Sequence, residues 1–451
     1  MMLVWKLSIA LALTYLTIVA AVAIVAALRA GGRREEASEE HDALAVSRFT
    51  IPVSIVVPIA TGTTAIHRTL TALLDLNYPE FEVIAVADSV PPAMLDELAR
   101  EWQLEAREFF YRKIINTAEV RRIYRSGRDP RLMVIDKTAD SSASTRATAD
   151  KHHDALNCGV NVARYRYFMP VESGIDFDRD ALLRIMRSAL RDPASVIGAS
   201  NHVEHGTVAK GNRARMIALF QRLASARSLM DSRLAWRHLS AGAGPTGSVI
   251  VWRRDAVIKA HGFSADAADP DVDLMFRLQT SGADSGAGGR FHRGVEVFGR
   301  VGSQPVRSTM AVSGRRQHAA LQIVGAILQG RAGGLGLKTL MSFIESEIVT
   351  PVAQLWIVLA TLVGASAGWF SWTSVFLAIA LLAFGNAAVS TAALLLRGSS
   401  AGAPEEPELQ RLVIAGPFEF VFYRPMLAAA RVAAAISFVF VGDALLGRRI
   451  K

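Results

Sequence analysis

Cysteine is nearly absent: Cys158 is the single one in 451 residues. That excludes an internal disulfide framework and suits a reducing compartment. Cys158 lies inside a helical pattern and reads as a small packing residue, not a nucleophile. Internal repeats are missing, and so is any nucleic-acid recognition motif. The net charge of +9 therefore does not signal DNA or RNA, because the arginines are dispersed and membrane-flanking bases supply part of the excess. No nucleic-acid partner is expected. The most telling absence is that of charge over long stretches. Leu7 to Leu28 runs 22 residues without one, and Ile348 to Leu396 is a second uncharged run. The first is long enough for one bilayer crossing, the second for two.

These runs account for a hydrophobic content of 51% and a positive mean hydropathy of +0.27. Gly364, Gly368, Trp369, Ser371 and Trp372 mark a turn in the second run, with tryptophans at the depth of an aromatic belt. The first run exceeds the roughly 7–15 apolar residues of a signal peptide, and no clear small-x-small cleavage site follows it before Arg29. An uncleaved transmembrane anchor over residues 1–30 is the expectation. Arg29, Arg33 and Arg34 follow it against a lone Lys6 before it, which puts the next segment in the cytoplasm. The chain thus reads as a multi-pass protein of the cell (inner) membrane with a cytoplasmic catalytic-type domain.

Residues 31–50 are polar and charged, a linker. Then IPVSIVVP (51–58) is a continuous β-branched run, the mark of a strand buried on both faces. A helix follows over 64–76, stopped by Asn77-Tyr78-Pro79. Phe81 to Val86 is a second buried strand, ending at Ala87-Asp88. A helix over 93–102, a basic middle region and a strand over 131–136 come next. Residues 138–150, rich in Ser, Thr, Ala and Asp, form a loop. A helical pattern through Ala155, Leu156, Gly159, Val160 and Ala163 leads into the strand 167–171, which ends in Glu172 before an Asp-rich turn. This alternation argues for a mostly parallel sheet with helices on both sides. Ligands of such sheets sit beyond the carboxyl ends of the strands, where Asp88 and Glu172 fall.

KHHDALNCGVNVARYRYFMPVESGIDFDRDAL (151–182) resembles the family-2 glycosyltransferases, whose text runs roughly GKAxALNxGxxxAxGEYxxFLDADTxxDPDAL. Lys151, Ala155, Leu156, Asn157, Gly159, Ala163, Tyr167, Asp178, Asp180, Ala181 and Leu182 fall on it without a gap. The Asp-x-Asp of that text has become Glu172-Ser173-Gly174. The resemblance covers 51 to about 330. PVSIVVP and NYPEFEVIAVADS look like the family's opening strand and nucleotide turn, with Thr61 and Gly62 near its Asn-Glu and Ala87-Asp88 for its Asp-Asp. AGAGPTGSVIVWRRDAVIKAHGF (241–263) resembles the acceptor-side segment. ADPDVDLMFRL looks like the Glu-Asp-x-x-Leu-x-x-Arg-Leu helix, with Pro270 on the Glu and Asp271 on the Asp. Before the membrane, Arg315 and Arg316 hold the middle of the Gln-x-x-Arg-Trp signature, while Gly314, Gln317 and His318 replace its Gln, Arg and Trp.

The resemblance implies an α/β fold of the GT-A, nucleotide-diphospho-sugar transferase type, with a mostly parallel mixed sheet plus transmembrane helices. The nearest branch is that of the polysaccharide synthases and ceramide glucosyltransferases, with eroded motifs. It implies a GT-A domain over 51–330, an interfacial helix at 335–347 and two transmembrane helices over 348–396. A loop and a membrane-associated or transmembrane segment complete the chain over 397–451. Asp271 is the implied catalytic base, with a helix cap as its plainer role. Asp88, Lys151, Asn157, Glu172, Arg315 and Arg316 are implied at the nucleotide sugar, although arginines beside a membrane helix also serve as an interfacial flank. Mg2+ or Mn2+ would rest on Glu172 alone, since Gly174 cannot ligate, and independence of metal follows as the alternative. The function implied is an inverting hexosyl transfer from a nucleotide diphosphate sugar to a lipid or saccharide acceptor. Its rival is a silent scaffold or partner subunit in envelope polysaccharide assembly.

Overall fold

A computed structural model of the chain describes residues 2–30, 50–59, 66–88, 90–137, 148–172, 174–190, 196–205, 211–234, 248–283, 290–301, 306–329, 344–398 and 406–446. The expected loop at 138–147, the interfacial helix up to residue 343, and Thr61, Gly62 and Ser173 lie outside these residues. In chain order the elements are α1 (Met2–Ala30), β1 (Val53–Ile59), α2 (Ile66–Leu74), β2 (Phe81–Asp88), α3 (Pro92–Trp102), β3 (Leu104–Ala106), β4 (Val120–Ser126), β5 (Leu132–Lys137), α4 (Thr148–Val162), β6 (Tyr167–Pro170), β7 (Ile175–Phe177), α5 (Ala181–Leu190) and β8 (Val196–His205). There follow α6 (Asn212–Leu234), β9 (Ser248–Arg253), α7 (Arg254–Lys259), α8 (Pro270–Ala283), β10 (Arg290–Val301), α9 (Val306–Leu328), α10 (Thr350–Ser366), α11 (Trp372–Gly398), α12 (Glu406–Phe418) and α13 (Arg424–Leu446).

Contacts divide the chain into two units. One, residues 35–204 and 244–301, is built on a ten-stranded sheet of order β3-β4-β5-β2-β1-β6-β9-β8-β10-β7. Its middle, β5-β2-β1-β6, is parallel. Every residue of β1 is buried, as its unbroken apolar text requires. One core cluster gathers Ile55, Leu70, Val83, Leu98 and Ile185 on one face, and a second gathers Val56, Ile84, Leu156, Phe168 and Leu274 on the other. Gly159 lies where α4 crosses β1; a Cβ there would come 2.2 Å from Val56 Cγ1, so only glycine permits that approach. A buried acid sits between strands: Glu82 accepts from Ser54 Oγ at 2.7 Å and from Arg164 N and Nε at 2.9 and 2.8 Å.

The other unit, residues 1–34, 205–243 and 302–451, is helical. Within residues 51–330, α6 and α9 belong to this unit. Apolar side chains decide it: Phe220 and Leu223 of α6 pack with Leu394, Leu412 and Tyr423. On α9, Ser313 Oγ accepts from Arg431 Nε at 2.9 Å. Trp5 of α1 donates to Ala360 O at 3.0 Å, and its ring lies 5.2 Å from that of Trp356. Tyr15 donates to Glu345 Oε1 at 2.5 Å, at the start of a π-helical turn over Glu345–Val349. Among the described residues, two segments are long and apolar enough to cross a membrane, Trp372–Ala392 and Glu408–Phe438. Leu3–Val19 and Thr350–Ser366 are shorter apolar helices. Outward faces are apolar, with Phe376, Leu377, Leu381 and Phe384 each at least 68% exposed.

Candidate functional site

Four parallel strands end together on one rim of the sheet, and that rim collects the acids. Asp88 closes β2 and is the register partner of Lys137, which closes β5. Val171 N donates to Val56 O at 2.8 Å, prolonging the β1–β6 pairing so that Glu172 emerges exposed at the same rim. With β1 between them and strands about 4.8 Å apart, Asp88 and Glu172 lie about 10 Å apart along the rim. Lys151 stands half-buried in the first turn of α4, which follows β5 in the chain.

Lys137 is the residue that reading the sequence did not single out. Its side chain is wholly buried, and its Nζ lies 3.4 Å from Asp88 Oδ2 while also pairing with Asp154 of α4. Asp154 further accepts from Ala118 N at 3.1 Å. A buried cation shared by two acids holds the Asp88 carboxylate in one place. No signal in the text VIDK announces this, because the partners lie 49 and 17 residues away.

Beside α4 opens a cavity of about 730 Å³, walled by the 114–116 segment, by His153, Asp154 and Asn157, and by Ile258, His261, Phe263 and Ala265. Asn157 is the one expected residue in that wall. Its Nδ2 donates to Phe263 O at 2.9 Å, and its Oδ1 accepts from Phe263 N at 2.8 Å. Both ends of the amide thus clamp a loop. One turn on, Asn161 does the same for the segment opposite, accepting from Ile114 N and Ile115 N at 3.1 and 2.9 Å. His261 and Gly262 both take positive φ, 62° and 75°, a tight turn in the cavity wall. Arg277 of α8 donates to Gly262 O at 2.7 Å and pairs with Asp273 at 2.8 Å, fastening α8 to that turn.

Asp271 stands half-buried in the first turn of α8. The cap expected of it belongs to Asp269, whose Oδ1 accepts from Val272 N at 3.3 Å. Arg315 and Arg316 lie on α9 and belong to the helical unit, while Asp88, Lys151, Glu172 and Asp271 belong to the α/β unit.

The donor set fits a metal ion poorly. Gly174 has φ +97° and its N donates to Thr69 Oγ1 at 2.9 Å. Asp176 pairs with Arg68 at 3.4 Å and Asp178 with Arg184 at 3.1 Å, which leaves Glu172 as the acid offered at this turn. No group of three metal-ligating side chains occurs among the described residues. Cys158 is buried, and burial pushes its thiol up to about 12, so it is no nucleophile.

Neither a family model nor a curated protein matches the sequence. Among solved structures the chain is similar to the mannosyltransferase PcManGT from Pyrobaculum calidifontis, in complex with GDP-Man and Mn2+, with a TM-score of 0.54 at 16% identity over 93% of this chain and 98% of that one. It is also similar to S. aureus TarS 1–349 in complex with UDP-GlcNAc, but a TM-score of 0.36 at 11% identity, over 85% and 92% of the chains, adds nothing to the argument. The likeness to PcManGT is one of fold: this chain has a glycosyltransferase fold.

Proposed function

We propose that the protein is a membrane-bound inverting glycosyltransferase that moves a sugar from a nucleotide diphosphate sugar to a lipid or saccharide acceptor at the cytoplasmic face. The observation that carries this is the acid-bearing rim of parallel strands in a fold shared with an enzyme solved with GDP-Man. Asp88, held by Lys137, receives the base or ribose. Lys151 meets the diphosphate. Asp271 takes the proton of the acceptor hydroxyl as its oxygen attacks the anomeric carbon. The new glycosidic bond forms on the face opposite the leaving group, the bond to the diphosphate breaks, and the nucleoside diphosphate departs. No step here runs through a metal ion, and the wild type should tolerate chelator better than relatives with a full Asp-x-Asp.

Purified protein screened over several sugar nucleotides, with and without Mn2+, tests the reading. Asp271→Asn should lower turnover roughly 10²- to 10⁴-fold with donor affinity little changed. An Asp271→Asn protein as active as wild type would remove this mechanism. The rival reading, a silent scaffold in envelope polysaccharide assembly, draws on Gly174 in place of an acid. Wild type inert with every donor and acceptor tried would favour it.

A further inference from the structure

The α/β unit hides its large apolar side chains with two exceptions among its described residues: Phe110, 94% exposed, and Ile114, 45% exposed. They stand four apart on one segment, with Arg112 and Lys113 exposed between them. A scattered exposed apolar residue means nothing by itself. Phe110 is different, because its neighbours Phe109 and Tyr111 are partly buried while it stands free, and Ile114, which also borders the cavity beside α4, is exposed on the same segment. Phe109 and Tyr111 pack against the core, Ile115 belongs to it, and Asn161 Nδ2 donates to Ile115 O at 2.8 Å. Arg107 N donates to Ile123 O at 2.9 Å at the other end. The segment is pinned at both ends, which lowers the ordering cost of presenting Phe110.

We infer that residues 107–114 form a docking surface for an anionic lipid bilayer, with Phe110 and Ile114 entering the interface and Arg112 and Lys113 meeting lipid phosphates. An apolar pair flanked by cations is the composition that binds such surfaces. Arg107 is paired with Glu105 at 2.7 Å, so Arg112 and Lys113, against the one acid Glu108, are the bases that make the local charge complementary. The same chain carries two segments long and apolar enough to cross a membrane, which would keep a bilayer within reach. The inference rests on the reading of the chain as membrane-anchored.

The test uses the full chain in nanodiscs of phosphatidylcholine, with or without phosphatidylglycerol. Buried Cys158, its thiol pushed up to about 12, stays unlabelled, so Phe110→Cys carries an environment-sensitive fluorophore at one place. In anionic discs the emission should shift to the blue and be quenched by nitroxide lipids, with a weaker response in neutral discs. Arg112→Gln with Lys113→Gln should lower the inserted-to-free ratio about fivefold per charge removed. Ile114→Cys, labelled alike, reports the same event should the first variant fail to fold. Glu97→Cys, whose side chain is 63% exposed on α3, should read as water throughout. Water-like emission at 110 and 114 in protein that enters the discs would overturn the docking surface, as would an equal shift at 97. Protein that never enters the discs would overturn the anchorage instead.

Discussion

Gly262 takes φ +75°, and a Cβ on it would lie 2.3 Å from Asn157 Oδ1 and 2.9 Å from Ile115 Cδ1. Two costs therefore meet at one atom: left-handed backbone strain and the loss of a buried amide bond to Phe263. Gly262→Ala should destabilise the protein by about 2–4 kcal/mol, read as a lower denaturation midpoint in detergent. An unchanged midpoint would mean that the Asn157 clamp is not formed. The sequence shows Asn157 and His261-Gly262-Phe263 as separate motifs 104 or more residues apart, and the resemblance assigns the asparagine to the donor. What it cannot show is that the amide bonds the backbone of Phe263 at both ends, at 2.9 and 2.8 Å. Hydrogen-bond partners are chosen by the chain's path, and that is invisible in a motif.

Strand β5 puts Lys137 between two acids, and α4 supplies one of them. Replacing one partner of such a group strands the others. Lys137→Met should cost about 3–5 kcal/mol, because Asp88 and Asp154, 12% and 14% exposed, would lose the cation they share. Urea titration checks this, and Lys137→Met combined with Asp154→Asn should recover part of the loss. Nucleotide-sugar affinity should fall in the single variant, since Asp88 loses its fixed position. The elements themselves were legible to different degrees. β1, β2, β5 and β6 are apolar runs and stand where such runs predict strands. β3 and β4 fall in the basic middle region, and no strand is expected there: Arg121 and Arg122 are exposed on β4, so its text lacks the apolar run by which the central strands were found. That strand exists because β3 and β5 pair with it on either side.

For the whole chain, composition already separates two kinds of surface: long uncharged helical texts, and an alternation of buried strands with helices. The membrane reading belongs to this scale, and so does its test. An impermeant maleimide should label Glu97→Cys in inverted vesicles and not in intact cells, given that Cys158 is buried. Labelling in intact cells would overturn the cytoplasmic placement. The sequence by itself determined the α/β sheet, because two-sided burial demands continuous apolar strands, and it determined the apolar helices, because uncharged runs of that length have few other uses. Only the tertiary structure decided which unit each helix serves. α6 and α9 lie between and after strands in the chain, yet side chains such as Phe220 and Leu223 find their apolar partners on α11 and α12. Only the tertiary structure, too, placed a buried lysine behind Asp88 and moved the helix cap from Asp271 to Asp269. The reason is the same in each case: a residue's type and spacing set what it can bond, while distant chain segments set which partner is in reach.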